Sequence, residues 1–111
     1  MRIRVPPKRI RERFLIIYEL KGCQKAVNFL TDYYHVRRMR TVLDGRRVPR
    51  KCCGVYFENK ACFKREGLKR RVVLHETYHH LVKAKGLEMP IGKEEKEANM
   101  YAKDFMGKRN Y

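Results

Sequence analysis

The sequence has no tryptophan, a single glutamine and no long apolar run. Its longest uninterrupted apolar stretch covers residues 14–18, whereas a helix that crosses a bilayer needs about 20 apolar residues. Residues 1–7 are basic but lack the apolar run of a signal peptide. We therefore expect a cytoplasmic protein without membrane insertion.

Internal repeats, low-complexity linkers, a phosphate-binding glycine loop and paired zinc-finger spacing are also missing. The 111 residues suit one domain, because two independent domains would each be too small for a sizeable core. A hydrophobic content of 43% is near the globular norm and argues against disorder. The sequence thus predicts a single domain over residues 1–111.

Acidic residues are scarce relative to basic ones, with 28 Lys and Arg against 12 Asp and Glu and a net charge of +16. One interpretation is a nucleic-acid partner or an anionic surface, to which a basic protein is attracted. The other is a highly charged, solvated surface of the kind found in thermophiles. Charge alone leaves both open, because it bears on encounter rather than on fold.

The four cysteines lack the C-x-x-C spacing of zinc knuckles and redox dithiols. Cys52 and Cys53 are adjacent, so in a strand they point to opposite faces and at most one shares a site with Cys62. We expect the cysteines, including Cys23, to be small buried hydrophobes. The alternative is a disulfide that joins Cys62 to Cys52 or Cys53.

Periodicity predicts an α+β fold with two N-terminal helices, a small, mostly antiparallel three-stranded sheet and two further helices. Apolar residues at helical spacing indicate helices over residues 8–20, 23–34, 66–85 and 93–105. Alternation over residues 37–43 indicates a strand, and residues 53–57 and 61–63 read as a hairpin. His35 is expected in a turn.

One motif points to chemistry, the H-E-x-x-H formed by His75, Glu76 and His79. Residues four apart share one helix face, so both imidazoles can bind one zinc ion. Glu76 lies beside them, within reach of a water molecule at the metal. A hairpin precedes this helix, and its edge strand could pair with an extended peptide.

A catalytic zinc site needs a third protein ligand. The downstream carboxylates are Glu88, Glu94, Glu95, Glu97 and Asp104. Glu95 and Asn99 form an E-x-x-A-N pattern, in which the first residue can bind metal and the last can hydrogen-bond a ligating histidine. Periodicity alone does not choose between Glu94 and Glu95, since both lie within about 60° of the apolar stripe. Glu97 is expected on the solvated flank.

These two motifs together resemble the signature of gluzincin metallopeptidases. A chain of this size resembles the minigluzincins, minimal zincin-like enzymes of thermophilic prokaryotes related to the catalytic domains of membrane-embedded metallopeptidases. The resemblance implies one Zn²⁺ held by His75, His79 and Glu95, with Glu76 as the general base and acid and Asn99 as the partner of His75. Many gluzincins have Asp where this chain has Asn99, and a neutral amide supplies no negative charge to the ligand.

Other polar residues near the motif have two interpretations each. Tyr78 and Tyr101 could stabilise the oxyanion of a tetrahedral species, or could simply pack in the core. His80 is expected at the surface or as a hydrogen-bond partner of the site. The cations at residues 64, 65 and 69–71 form a solvated helix start, or attract an acidic substrate or a phosphate.

We therefore expect a zinc-dependent metalloendopeptidase that acts on a peptide or protein substrate. The resemblance implies a latent zymogen in which the C-terminal segment, residues 106–111, blocks the zinc or exchanges with a neighbouring molecule; a frayed terminus is the alternative. The rival function is a basic nucleic-acid-binding or repressor-cleaving regulator with the same zinc site.

Overall fold

The computed structural model describes residues 3–65 and 69–107. In chain order these residues form α1 (Lys8–Lys21), α2 (Cys23–Tyr33), β1 (Arg40–Leu43), a short 3-10 turn (Gly45–Arg47), β2 (Gly54–Phe57), β3 (Lys60–Phe63), α3 (Arg70–Ala84) and α4 (Ile91–Met106). The predicted α+β class and element order are confirmed. Within the described ranges, no helix is both long and apolar enough to cross a membrane.

The sheet is mixed, with β3 between the other two strands. β2 and β3 form the predicted antiparallel hairpin, and its turn residues Glu58 and Asn59 both have positive φ, at 46° and 64°. Turns of this kind match the twist of the flanking strands. The prediction of a mostly antiparallel sheet is wrong for β1, which pairs parallel to β3. The chain after β1 crosses the end of the sheet before the hairpin begins, so β1 and β3 run in the same direction.

Helix α3 is held from two sides by apolar packing. One core joins the four helices and includes Phe14, Leu74 and Phe105. A second core lies between the helices and the sheet and includes Phe63 and Val73. Because α3 contributes to both cores, the direction of its remaining side chains is closely fixed.

Strand β2 approaches α3 closely at Gly54. A Cβ atom at this position would lie 2.8 Å from the ring of Phe63 and 3.3 Å from the side chain of Val72. Only glycine therefore fits here without displacing its neighbours. The close approach sets an edge strand of the sheet beside the helix that carries the H-E-x-x-H motif.

Candidate metal centre

The motif histidines lie one turn apart on α3, on a face turned by about 100° from that of the core residues Leu74 and Tyr78. The rings of His75 and His79 are 4.9 Å apart between centroids, and their Nε2 atoms are 3.2 Å apart. Both side chains are half-buried. The two ring nitrogens thus converge on one point, as the spacing predicts.

Helix α4 brings Glu95 to the same point. The chain leaves α3 at Gly86, where φ is +67°, and turns back so that α4 packs along α3. Oε2 of Glu95 lies 3.0 Å from Nε2 of His75, and Oε1 lies 3.0 Å from Nε2 of His79. The structure therefore brings the three predicted ligands together and places the carboxylate of Glu95, rather than that of Glu94, between the two Nε2 atoms.

The spacing of these donors fits a shared metal ion. In a tetrahedral site with bonds of roughly 2.0–2.1 Å, two ligand atoms are about 3.3 Å apart. The three contacts here, at 3.0, 3.0 and 3.2 Å, are close to that separation. His75, His79 and Glu95 could therefore hold a metal ion.

Two further side chains of α4 hydrogen-bond the histidines. Oε2 of Glu94 lies 2.5 Å from Nδ1 of His79, and Asn99 hydrogen-bonds His75. A neutral imidazole that donates from Nδ1 to Glu94 presents a free lone pair at Nε2, which is the atom that faces the shared point. The sequence predicted the contact between Asn99 and His75. The role of Glu94 was missed, although its position four residues before Ala98 is a usable signal for a residue that faces α3.

Glu76 is almost completely buried beside the histidines, with 7% of its surface exposed. Burial raises the pKa of this carboxyl to about 7; the charge of His79 opposes that rise, and the nearby Glu95 adds to it. Burial is also the main cause that lowers the pKa of His75, with the charge of His79 acting in the same direction. Near neutral pH the carboxyl of Glu76 can therefore both accept and release a proton, and the imidazole of His75 stays neutral.

The cluster opens into a cleft of about 930 Å³. Strand β2 forms one wall, and the segment that joins α3 to α4 contributes Leu87 and Met89 to another. β2 is a sheet edge, since its sheet neighbour is β3. The site is thus reached from a cleft bordered by an edge strand.

Comparisons with protein-family models, with curated proteins and with solved structures found no match.

The two tyrosines considered for oxyanion stabilisation lie in the core. Tyr78 and Tyr101 are fully buried, and their rings pack at a tilt of 48° with centroids 5.2 Å apart. The hydroxyl of Tyr101 is 2.9 Å from that of Tyr34, and the hydroxyl of Tyr78 donates to Glu97 at 2.5 Å. The structure therefore supports the packing interpretation, because both hydroxyls are engaged inside the helical core.

Two polar residues are more buried than the sequence predicted. Glu97, expected on a solvated flank, is 7% exposed because it accepts the hydrogen bond of Tyr78. His80, expected at the surface or at the site, is fully buried between α3 and the sheet. Its Nδ1 is 2.9 Å from the hydroxyl of Tyr56, and its Nε2 is 2.6 Å from the carbonyl oxygen of Arg37. It therefore joins α3 to β2 and to the chain before β1.

All four cysteines are free thiols. Cys62 is buried as predicted, but Cys52 and Cys53 are exposed and line the cleft. The disulfide alternative is therefore wrong. His35 occupies the predicted turn, with φ of 57°. Of the C-terminal segment, Met106 ends α4 and Gly107 has φ of 86°, while residues 108–111 lie outside the described residues.

Proposed function

We propose that the protein is a zinc-dependent metalloendopeptidase of the gluzincin type. The observation that supports this most is the convergence of His75, His79 and Glu95 on one point next to the buried carboxylate of Glu76. Two imidazole nitrogens and one carboxylate oxygen are the ligand set of catalytic zinc sites that keep a position open. Zn²⁺ held there would polarise the scissile carbonyl and make water nucleophilic at neutral pH.

In this proposal Glu76 moves the proton. It accepts a proton from the attacking water as oxygen adds to the peptide carbonyl carbon. It then gives that proton to the nitrogen of the leaving amine as the carbon–nitrogen bond breaks. Glu94 and Asn99 keep the two histidines in the orientation that this geometry needs, each through a hydrogen bond to the ring.

Strand β2 is the proposed docking edge for the substrate backbone. It borders the cleft and has one sheet neighbour, β3, so an extended peptide could add to its other side as a further strand. Phe57, at the end of β2, is 67% exposed and offers an apolar contact. Backbone pairing holds a polypeptide independently of its side chains, which suits an endopeptidase.

The proposal includes latency, in which the C-terminal segment inhibits the full chain. Glu95 lies in the first turns of α4 and Gly107 ends that helix twelve residues later, so the segment that follows starts about 18 Å from the site at 1.5 Å per residue. Residues 108–111 span at most about 14 Å when fully extended, which is less than this distance. Blocking would therefore require the last turn of α4 to unwind, or the segment to enter the cleft of a neighbouring molecule. We expect a chain that ends at Gly107 to be more active than the full chain if this segment is inhibitory.

The test combines metal content with cleavage. Purified protein should contain about one zinc ion per chain, measured by elemental mass spectrometry. It should also cleave members of a quenched-fluorescent peptide library. The full chain and the chain ending at Gly107 are assayed together, so that latency is not mistaken for inactivity. A protein that retains no zinc after purification and gains none on dialysis against Zn²⁺ would refute the proposal.

A further inference from the structure

The cleft beside β2 has a basic end. The 3-10 turn and the loop that joins it to β2 carry Arg46, Arg47, Arg50 and Lys51, all exposed. Asp44 is the single carboxylate of residues 44–53, and it is shared by Arg46 and Arg47. These four cations, with Lys64 and Arg71, are called here the basic end.

Contacts with Lys64 hold this loop in one place. The amide of Lys64 donates to the carbonyl of Cys53 at 3.1 Å, and Nζ of Lys64 donates to the carbonyl of Arg50 at 2.8 Å. A Cβ at Gly45 would lie 3.6 Å from Cγ of Lys64. The loop therefore lies against the end of β3, next to the start of β2.

The basic end continues into the cleft. Cys52, Cys53 and Arg71 line the cleft, and the first two directly follow Lys51 in the chain. β2 and α3 run in the same direction, since Gly54 lies against Val72 and Tyr56 bonds His80 further along both elements. A chain extended along β2 thus meets the basic end on one side of the metal cluster.

The opposite end of the cleft has the opposite charge. The lining there includes Glu58, which follows the end of β2, and Glu88, which follows the end of α3, with Lys83 as the cation among them. An acidic segment would be repelled there and attracted at the basic end, so the charge pattern gives a bound chain one preferred placement.

We infer that the basic end binds an acidic segment of the polypeptide whose neighbouring residues enter the cleft. The inference rests on the proposed function, because it takes that polypeptide to be the substrate. An acidic polypeptide fits better than a nucleic acid because the basic surface is continuous with a groove bordered by a strand edge, which recognises an extended backbone. The carboxylates at the far end oppose a polyanion that spans the whole cleft.

The test uses three labelled peptides with one common neutral centre. One has six Glu at its C-terminus, one has six Glu at its N-terminus, and one has six Gln, because a bound chain could run either way along β2. Binding is measured by fluorescence anisotropy to the zinc-loaded Glu76→Gln protein, so that no peptide is consumed. At low salt we expect at least one acidic peptide to bind about tenfold more tightly than the Gln peptide, and less so at high salt.

A matched pair of variants locates the effect. One replaces Arg46, Arg47, Arg50 and Lys51 by Gln. The other makes the same change at four exposed cations of α1 and α2, namely Arg9, Arg13, Lys21 and Lys25. The first should lose the preference for the acidic peptide and the second should keep it. Equal losses in both, or no preference in the parent protein, would overturn the inference, since only overall charge would then act.

Two further arms separate the explanations. The first arm measures binding of a labelled single-stranded DNA to the parent protein and to the variant without the four cations. If the DNA binding depends on these cations and the protein shows no preference among the peptides, the inference of an acidic polypeptide is overturned and the surface is assigned to nucleic acid. Cleavage by the protein with an intact Glu76 separates this inference from the proposed function. If the neutral peptide is cleaved as fast as the acidic ones, the inference fails and the function stands; if nothing is cleaved, the binding comparison still decides the inference.

Discussion

Removing one carboxylate at a time from the first turns of α4 separates a metal ligand from a residue that orients a ligand. Glu95 contacts both Nε2 atoms at 3.0 Å, whereas Glu94 contacts Nδ1 of His79 at 2.5 Å. The variants Glu94→Ala and Glu95→Ala therefore remove two neighbouring carboxylates, one that orients a ligand and one that is itself a ligand. Both should weaken zinc binding, but to different extents.

The expected magnitudes follow from these contacts. Loss of an outer partner of a ligating histidine typically costs 10–100-fold in metal affinity, or about 1.4–2.7 kcal/mol. We expect Glu94→Ala to lie in that range, because His79 keeps its place on α3 but loses the acceptor that fixes its tautomer. Glu95→Ala should exceed about 100-fold, because it removes one of three donors and the only negative charge among them. Glu94→Gln, which retains an acceptor, should cost less than Glu94→Ala.

The assay is zinc competition against a chromogenic chelator at one pH, with circular dichroism to show that each variant is folded. Asp104→Asn is the control, since it removes a carboxylate from an exposed position on the same helix, away from the cluster. An equal or larger loss in Glu94→Ala than in Glu95→Ala would refute the reasoning, because the ligand assignment would then be displaced by one residue.

Three further predictions concern the base, the core and the thiols. Glu76→Gln should retain zinc but lose peptide cleavage by at least about a hundredfold, measured by metal content and initial rates, because an amide accepts no proton. Glu97→Ala should lower the free energy of unfolding by about 1–3 kcal/mol in a denaturant titration, since it leaves the hydroxyl of Tyr78 buried without its acceptor, whereas Glu97→Gln should cost less. Iodoacetamide should label the native protein at both exposed cysteines, 52 and 53, before Cys62; mass spectra that show Cys62 reacting first would contradict the burial described above.

The elements that the sequence predicts well are those specified by local signals. The helices follow from apolar residues at helical spacing, and Gly86 and Gly107 end α3 and α4 where expected. The hairpin follows from a short polar turn between two strand-like runs. His75 and His79 follow in the same way, because a helix places residues four apart on one face whatever surrounds it.

The features that the sequence does not predict depend on partners that are distant in the chain. The direction of β1 is set by β3, twenty residues later, and the exposure of β1 shows no clear alternation. Glu97 lies about 100° from Ala98 on the helix and is still buried, since Tyr78 of α3 reaches it. His80 is buried for the same kind of reason, because the hydroxyl of Tyr56 provides a partner inside the protein.

The pairing of α4 with α3 is stabilised mainly by apolar packing. Ala98, Tyr101 and Phe105 are buried against the helical core through the later turns of α4. Full burial of a large apolar side chain contributes about 1.5–3 kcal/mol, whereas a hydrogen bond contributes about 0.5–1.5 kcal/mol net. The later turns thus stabilise the helix pair, and the first turns are free to carry charged groups.

The polar contacts of those first turns then define one register between the helices. Glu94 and Glu95 point about 100° apart, yet both reach His79, because the imidazole presents one nitrogen on each edge of its ring. His75 also contacts two residues of α4, Glu95 and Asn99, which lie one helical turn apart. A shift of α4 by one residue would break these contacts together. The ambiguity between the two glutamates in the sequence is therefore resolved by geometry, since each occupies a different edge of one histidine.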